Sequence, residues 1–227
     1  MMLEPFIMPL SVSIKTVLAA TVITFFLGIA AARWMVDYKG RFSSLIDVLF
    51  LLPIVLPPTV IGFGLLLLFG SRGPLGKLLA LFDTTIIFSW PATVVTAVIV
   101  AFPLMYMTAR GGFEQVDPNL ENAARTLGAG EWRLFWTVTL PLSWPTVMAA
   151  TVLAFTRALG EFGATLMLAG NLPGRTTTLP VAIYFRLQAG QMHEALVLTL
   201  VVFIFALASL ALLAYWKAQA RRNGRGQ

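Results

Sequence analysis

The chain has 227 residues, 58% of them hydrophobic and only 11% charged, where a soluble domain carries roughly 25% charged residues; it reads as an integral membrane protein, not a soluble one. Zero cysteines exclude disulfides, iron–sulfur clusters and thiolate metal sites. A net charge of +6 is taken first as a topology signal rather than a nucleic-acid footprint, because basic residues in membrane proteins set orientation.

The apolar runs give five spans, at about 20 residues each. They leave no room for a large soluble domain, so residues 1–227 are expected to form one all-α polytopic helical bundle. Met1 to Pro9 lacks the basic start of a cleavable signal peptide, so the first span is read as retained. That span covers roughly Ile14 to Trp34, with Lys15 able to snorkel at one end. A short loop carries Arg33, Asp37, Lys39 and Arg41. Span two, about Leu45 to Phe69, contains Pro53, Pro57 and Pro58 and then Gly62 and Gly64. Each proline removes a backbone donor and clashes with the preceding turn, so this span must be kinked or broken. Gly70 to Thr85 is turn-rich, with room for one short interfacial helix, and span three runs from Ile86 to Thr108. After a polar block come span four (Leu142 to Ala169), a second turn-rich loop (Gly170 to Glu194) and span five (Ala195 to Trp216), which closes in a basic tail.

The polar block, Val116 to Pro141, is the longest polar interruption, yet it carries helix signals. Asp117 suits an N-cap and Pro118 the first helical position. A short helix over Asn119 to Leu127 is expected, ended by a left-handed Gly128. A second helix, Glu131 to about Thr139, is expected to stop at Pro141. Ala123 and Ala124 form a small face that another surface could approach closely; a well-capped linking loop is the plainer alternative. If the first loop, this block and the tail share one side, that side holds Arg33, Lys39, Arg41, Arg110, Arg125, Arg133, Lys217, Arg221, Arg222 and Arg225, ten of the sixteen basic residues. The other side holds Lys15, Arg72, Lys77, Arg175 and Arg186, five in all, and Arg157 lies within span four. The bias puts the N-terminus outside and the C-terminus in the cytoplasm.

No hydrolytic or metal chemistry is legible. The nearest approach to a phosphate loop, Ser71 to Leu78, has Ser and Leu at its two defining ends and falls on the outer side. There is no G-x-S-x-G elbow. His193 is the single histidine and reads as an interfacial polar residue, with no partner for a zinc or Ser-His site. In span four, Arg157 and Glu161 lie four apart, on one helix face. A charge at that depth costs at least ~2.5 kcal/mol, so both are expected to face other helices or water. Gly160 and Gly163 are expected to allow close helix contact. This is either a polar patch at the pathway or subunit interface, or a structural pair whose charges cancel; for direct substrate contact the structural pair is favoured.

The polar block resembles the coupling motif of ABC-importer permeases: Glu-Ala-Ala, three residues, Gly, nine residues, Ile, one residue, Leu-Pro. Here it reads Asn122-Ala123-Ala124, Gly128, Val138 and Leu140-Pro141, with Asn for Glu, Val for Ile, and Glu121 one position earlier. GEFGAT followed by GNLPGRTTTLP is similar to permeases of the sulfate and molybdate branch, the pairing being nearest to molybdate permeases. The resemblance implies a type I importer permease of about five transmembrane helices per subunit, in a bacterial or archaeal cytoplasmic membrane, moving molybdate inward by alternating access. A sulfate, thiosulfate or tungstate permease is the runner-up, and an ATPase-independent channel or scaffold the alternative outside the class. The implied partners are a second copy, two ABC ATPase subunits that carry ATP and Mg, an extracytoplasmic molybdate-binding protein facing the two turn-rich loops, and membrane lipid. No cofactor in this chain and no nucleic acid are implied. The implied coupling residues are Asp117, Glu121, Asn122, Ala123, Ala124, Gly128, Leu140 and Pro141.

Overall fold

The computed structural model describes residues 4–223, with side chains described for residues 6–216. Among the described residues every regular element is helical: α1 (Glu4–Asp37), α2 (Ser43–Val55), α3 (Pro58–Phe69), α4 (Pro74–Ala80), α5 (Trp90–Glu114), α6 (Pro118–Thr126), α7 (Glu131–Leu134), a π-helical turn (Phe135–Thr139), α8 (Leu140–Leu159), α9 (Gly163–Ala169), α10 (Leu179–Gln188) and α11 (Met192–Asn223). Four stretches are long and apolar enough to cross a membrane: α1, α5, the run Glu131–Leu159 and α11. The pair α2 and α3 makes a fifth only across a 115° bend. Leu56 and Pro57 are extended at that bend, because a residue before proline is driven out of the helical region. The break expected in span two is therefore present.

Several boundaries differ from the sequence reading. α1 begins ten residues before Ile14 and has 34 residues, about 50 Å at 1.5 Å per residue. Pro9 lies inside it but forfeits only one bond in the first turns. α5 starts at Trp90 rather than Ile86, because Ser89 is extended, and runs on to Glu114. The helix after Gly130 does not stop at Pro141. The π-helical turn brings the Leu140 N–H to the Phe135 carbonyl, five residues back. The ladder thus shifts register just before the residue that has no N–H to give. Span four, expected to be unbroken to Ala169, ends at Leu159 and resumes as α9. The second turn-rich loop contains α10, docked on α1 and α11 through Leu179, Ala182, Leu198, Phe6 and Leu10, with the Leu179 N–H on Ser13 Oγ at 2.7 Å.

α5 is the central element. Small residues on it (Ala97, Ala101, Ala109) are fully buried against Val17, Ala20 and Ala32 of α1 and Val147, Ala150 and Ala154 of α8, the close packing that lipid-embedded helices rely on. The two broken spans meet each other. A Cβ on Gly62 of α3 would lie 2.8 Å from Ala164 Cα of α9, and one on Gly163 would lie 3.0 Å from Pro58 Cβ. At Gly62 a side chain would force the two helices apart, and at Gly163 Pro58 would have to give by a few tenths of an ångström. α11 keeps a mostly exposed, apolar surface.

Candidate functional site

α6 is built from local signals. The Asp117 carboxylate accepts the Asn119 N–H at 2.9 Å, and Pro118 occupies the first helical position. Glu121 in the first turn and Arg125 in the last suit the helix dipole. The far end is a Schellman cap: Gly128 N–H donates to Arg125 O at 2.9 Å and Ala129 N–H to Ala124 O at 3.0 Å. Gly128 has φ +84°, and a Cβ there would meet nothing within 4 Å. Glycine is needed for its backbone freedom, not for space.

No α6 residue is buried; the helix is held to the bundle by polar contacts. The Thr139 hydroxyl donates to Glu121 Oε1 at 2.8 Å. Arg125 donates through Nε and Nη2 to the two oxygens of Glu131, at 2.8 and 3.2 Å, and through Nη1 to Asn122 Oδ1 at 3.1 Å. The hydrogen bond to Glu131 holds the Arg125 guanidinium above its ordinary pKa. Glu131 also accepts from Arg33 Nη2 at 3.3 Å, and Arg33 pairs with Asp37 at 3.0 Å while its guanidinium lies 5.6 Å from the centre of the Phe135 ring. Each exposed ion pair is individually weak, but together they join α6 to the end of α1 and to the head of the α7–α8 run.

The sequence-predicted residues therefore divide. Asp117 and Gly128 shape the helix, and Glu121 ties it inward with its side chain 19% exposed. Glu121 does not project its charge from the outer face. Asn122 and Ala123 are exposed and Ala124 half-buried, while Leu140 is buried and Pro141 exposed. Leu127 and Trp132 add exposed apolar surface at the same end. Arg33, Phe135 and Thr139 were missed. Thr139 stands beside the Leu-Pro pair and was legible in principle, whereas Arg33 is 98 residues from Glu131 and carried no local signal.

In span four, Arg157 and Glu161 do meet, Nη1 to Oε2 at 3.1 Å, but not along one helix. Glu161 sits in the break between α8 and α9, fully buried, and its other oxygen accepts the Ala164 N–H at 2.8 Å. The carboxylate thus neutralises Arg157 and caps α9 at once. Gly163 makes the close helix contact expected of it, against Pro58; Gly160 is exposed and makes none. No cluster of His, Cys, Asp or Glu among the described residues could hold a metal ion.

A family model described as "Binding-protein-dependent transport system inner membrane component" matches residues 24–223. The chain belongs to this family. Among curated relatives, the permease is 42% identical to the molybdenum transport system permease protein ModB of Escherichia coli K12, over 95% of this chain and 94% of that one. It is 41% identical to the putative molybdenum transport system permease protein YvgM of Bacillus subtilis, over 82% of each. A probable sulfate transport system permease protein of Chlorokybus atmophyticus is 34% identical over 78% of this chain and 62% of its own length. Its fold is that of ABC importer permeases. A bacterial alginate ABC transporter superposes with TM-score 0.74 at 16% identity, over 96% of this chain and 80% of that chain. The same transporter in complex with an alginate pentasaccharide-bound periplasmic protein gives TM-score 0.73 at 17% identity, over 96% and 79%. The permease is a multi-pass membrane protein of the transport class.

Proposed function

We propose that this permease carries molybdate into the cytoplasm as one of two copies in an ATP-driven importer, with α6 seated on a separate ATPase subunit. The observation that carries the coupling part is the contact network of α6. A small helix with an exposed outer face is tied by Glu121–Thr139 and Arg125–Glu131 to the head of a membrane-crossing helix, and by Glu131–Arg33 to another. A push on α6 is passed to both helices through these contacts. Asn122, Ala123 and Leu127 then form the ATPase-facing surface, and Asp117, Gly128, Leu140 and Pro141 set its shape. ATP and Mg belong to the partner subunits. ATP must favour one conformation through differential contacts, since equal affinity for both shifts nothing.

Identity of 41–42% to permeases named for molybdenum transport, against 34% to a named sulfate permease, favours molybdate. Sulfate transport is the second reading, supported by that lesser likeness. A periplasmic binding protein docked on a fold neighbour supports delivery by an extracytoplasmic molybdate-binding protein. The basic-residue bias supports an outer N-terminus and a cytoplasmic C-terminus. Arg157 and Glu161 fit a structural pair at the α8–α9 break better than a substrate ligand, because the Glu161 carboxylate neutralises Arg157 with one oxygen and caps α9 with the other. Cellular molybdenum in a deletion strain grown on trace molybdate tests the substrate. Loss of molybdenum that a plasmid copy restores, and that excess sulfate does not mimic, supports molybdate; unchanged molybdenum with lost sulfate uptake overturns it.

A further inference from the structure

The end of the bundle opposite α6 carries a feature that coupling does not use. Arg33 of α1 meets Glu131 beside α6, whereas Trp90, at the other end of α5, donates its indole N–H to Thr16, in the N-terminal half of α1, at 3.1 Å. Next to that tryptophan lies a cleft of about 790 Å³, lined by Lys15, Arg175, Ser11, Ser89, Phe88 and Trp90 among others. Lys15 and Arg175 are exposed, and neither pairs with an acidic side chain among the described residues. Arg186, by contrast, is neutralised by Glu194 at 2.7 Å. The cleft wall is held in an unusual shape. Phe88 has φ +56°, a conformation bulky side chains rarely adopt, and its N–H bonds to the Leu168 carbonyl at 3.2 Å. Thr16, which accepts from Trp90, is hydrogen-bonded in turn to Thr93 at 2.8 Å, so the floor is fixed as well.

We propose that this cleft receives a small tetrahedral oxyanion, carrying two negative charges, on the face where it is delivered; the assignment rests on the import reading above. Two cations with no acidic partner among the described residues, in a concavity with partly apolar walls, focus the field and raise the local anion concentration. At ~30 Å³ per water, the volume has room for the ion with its whole first hydration shell. The hydroxyls of Ser11 and Ser89 already donate to the carbonyls of Met8 and Ile86. The ion is therefore held by charge with few hydrogen bonds, which suits a site that must release it quickly.

The test follows acylation of Lys15 by an amine-reactive reagent in the assembled transporter, read by peptide mass spectrometry. Molybdate is expected to slow Lys15 acylation relative to chloride at equal ionic strength, while Lys77 of α4, which does not line the cleft, reacts equally in both. Arg175→Gln is expected to weaken that protection about tenfold. Equal Lys15 rates in molybdate, sulfate and chloride would overturn the proposal. Protection by sulfate but not molybdate upholds the cleft and removes the molybdate reading. Protection that appears only with the binding protein docked, whichever anion is present, would make the cleft a protein-docking surface and overturn it.

Discussion

Replacing Gly128 isolates the backbone contribution to coupling. Its φ is +84° and a Cβ would touch nothing within 4 Å, so Gly128→Ala acts through conformation alone. Holding an L-residue in the left-handed region costs roughly 1–2 kcal/mol, a factor of about 5–30 in the local equilibrium. Gly128→Pro goes further. It fixes φ near −65° and deletes the N–H that bonds Arg125 O, so the Schellman cap cannot form. Because no α6 residue is buried, neither change should move the global Tm appreciably. Hydrogen exchange at the Ala129 amide should accelerate about 5–30-fold in the alanine variant. ATPase activity stimulated by loaded binding protein should fall in the alanine variant and vanish in the proline variant, with basal ATPase retained. Gly111→Ala, in α5 with equally open space and ordinary helical backbone, should be neutral within about 0.5 kcal/mol or mildly stabilising. Wild-type stimulation in Gly128→Pro would refute the reasoning.

Other changes test the contacts around α6 and the α8–α9 break. Thr139→Val removes the donor to Glu121, a charge-assisted bond of about 1.5–3 kcal/mol; uptake per ATP hydrolysed should fall, and Thr139→Ser should restore it. Arg33→Gln should lower stimulated ATPase without altering membrane insertion, since it cuts the ties to Glu131 and Asp37 and the cation–ring contact with Phe135; unchanged stimulation would count against transmission through α1. Glu161→Gln breaks a pair whose carboxylate is buried, for which about 3–5 kcal/mol is an upper bound, lessened here because Arg157 keeps 30% of its side chain exposed. Yield and Tm in detergent should drop, and the Arg157→Gln/Glu161→Gln double variant should recover part of both. If uptake alone fell in Glu161→Gln, a pathway role would replace the structural one.

Much of this architecture was legible because its signals are local. Long apolar runs marked the crossing helices, Pro57-Pro58 marked the break between α2 and α3, and Asp117, Pro118 and Gly128 marked α6 to within a residue. What escaped depends on distant contacts. The run Gly160-Glu161-Phe162-Gly163 has no proline to mark a stop, and glycines are tolerated inside membrane helices. The break there is fixed by the buried Glu161 carboxylate meeting Arg157 and the Ala164 N–H. Pro141 reads as a stop, yet the π-helical turn before it absorbs the missing donor. α10 hid in a loop because its apolar face is short and is completed by Leu198 and Leu10 from other helices. The role of Arg33 became visible only when the chain brought it to Glu131.

The chain has no cysteine, so one introduced thiol reports on one place. The decisive measurement places Leu127→Cys, 88% exposed at the end of α6, in the membrane-embedded transporter and adds a short thiol-to-amine cross-linker. The account predicts a covalent product with the ATPase subunit whose yield changes between nucleotide-free and ATP-bound states, and none from Arg175→Cys at the opposite end. A product from Arg175→Cys instead, or none from Leu127→Cys while molybdate uptake persists, would contradict it.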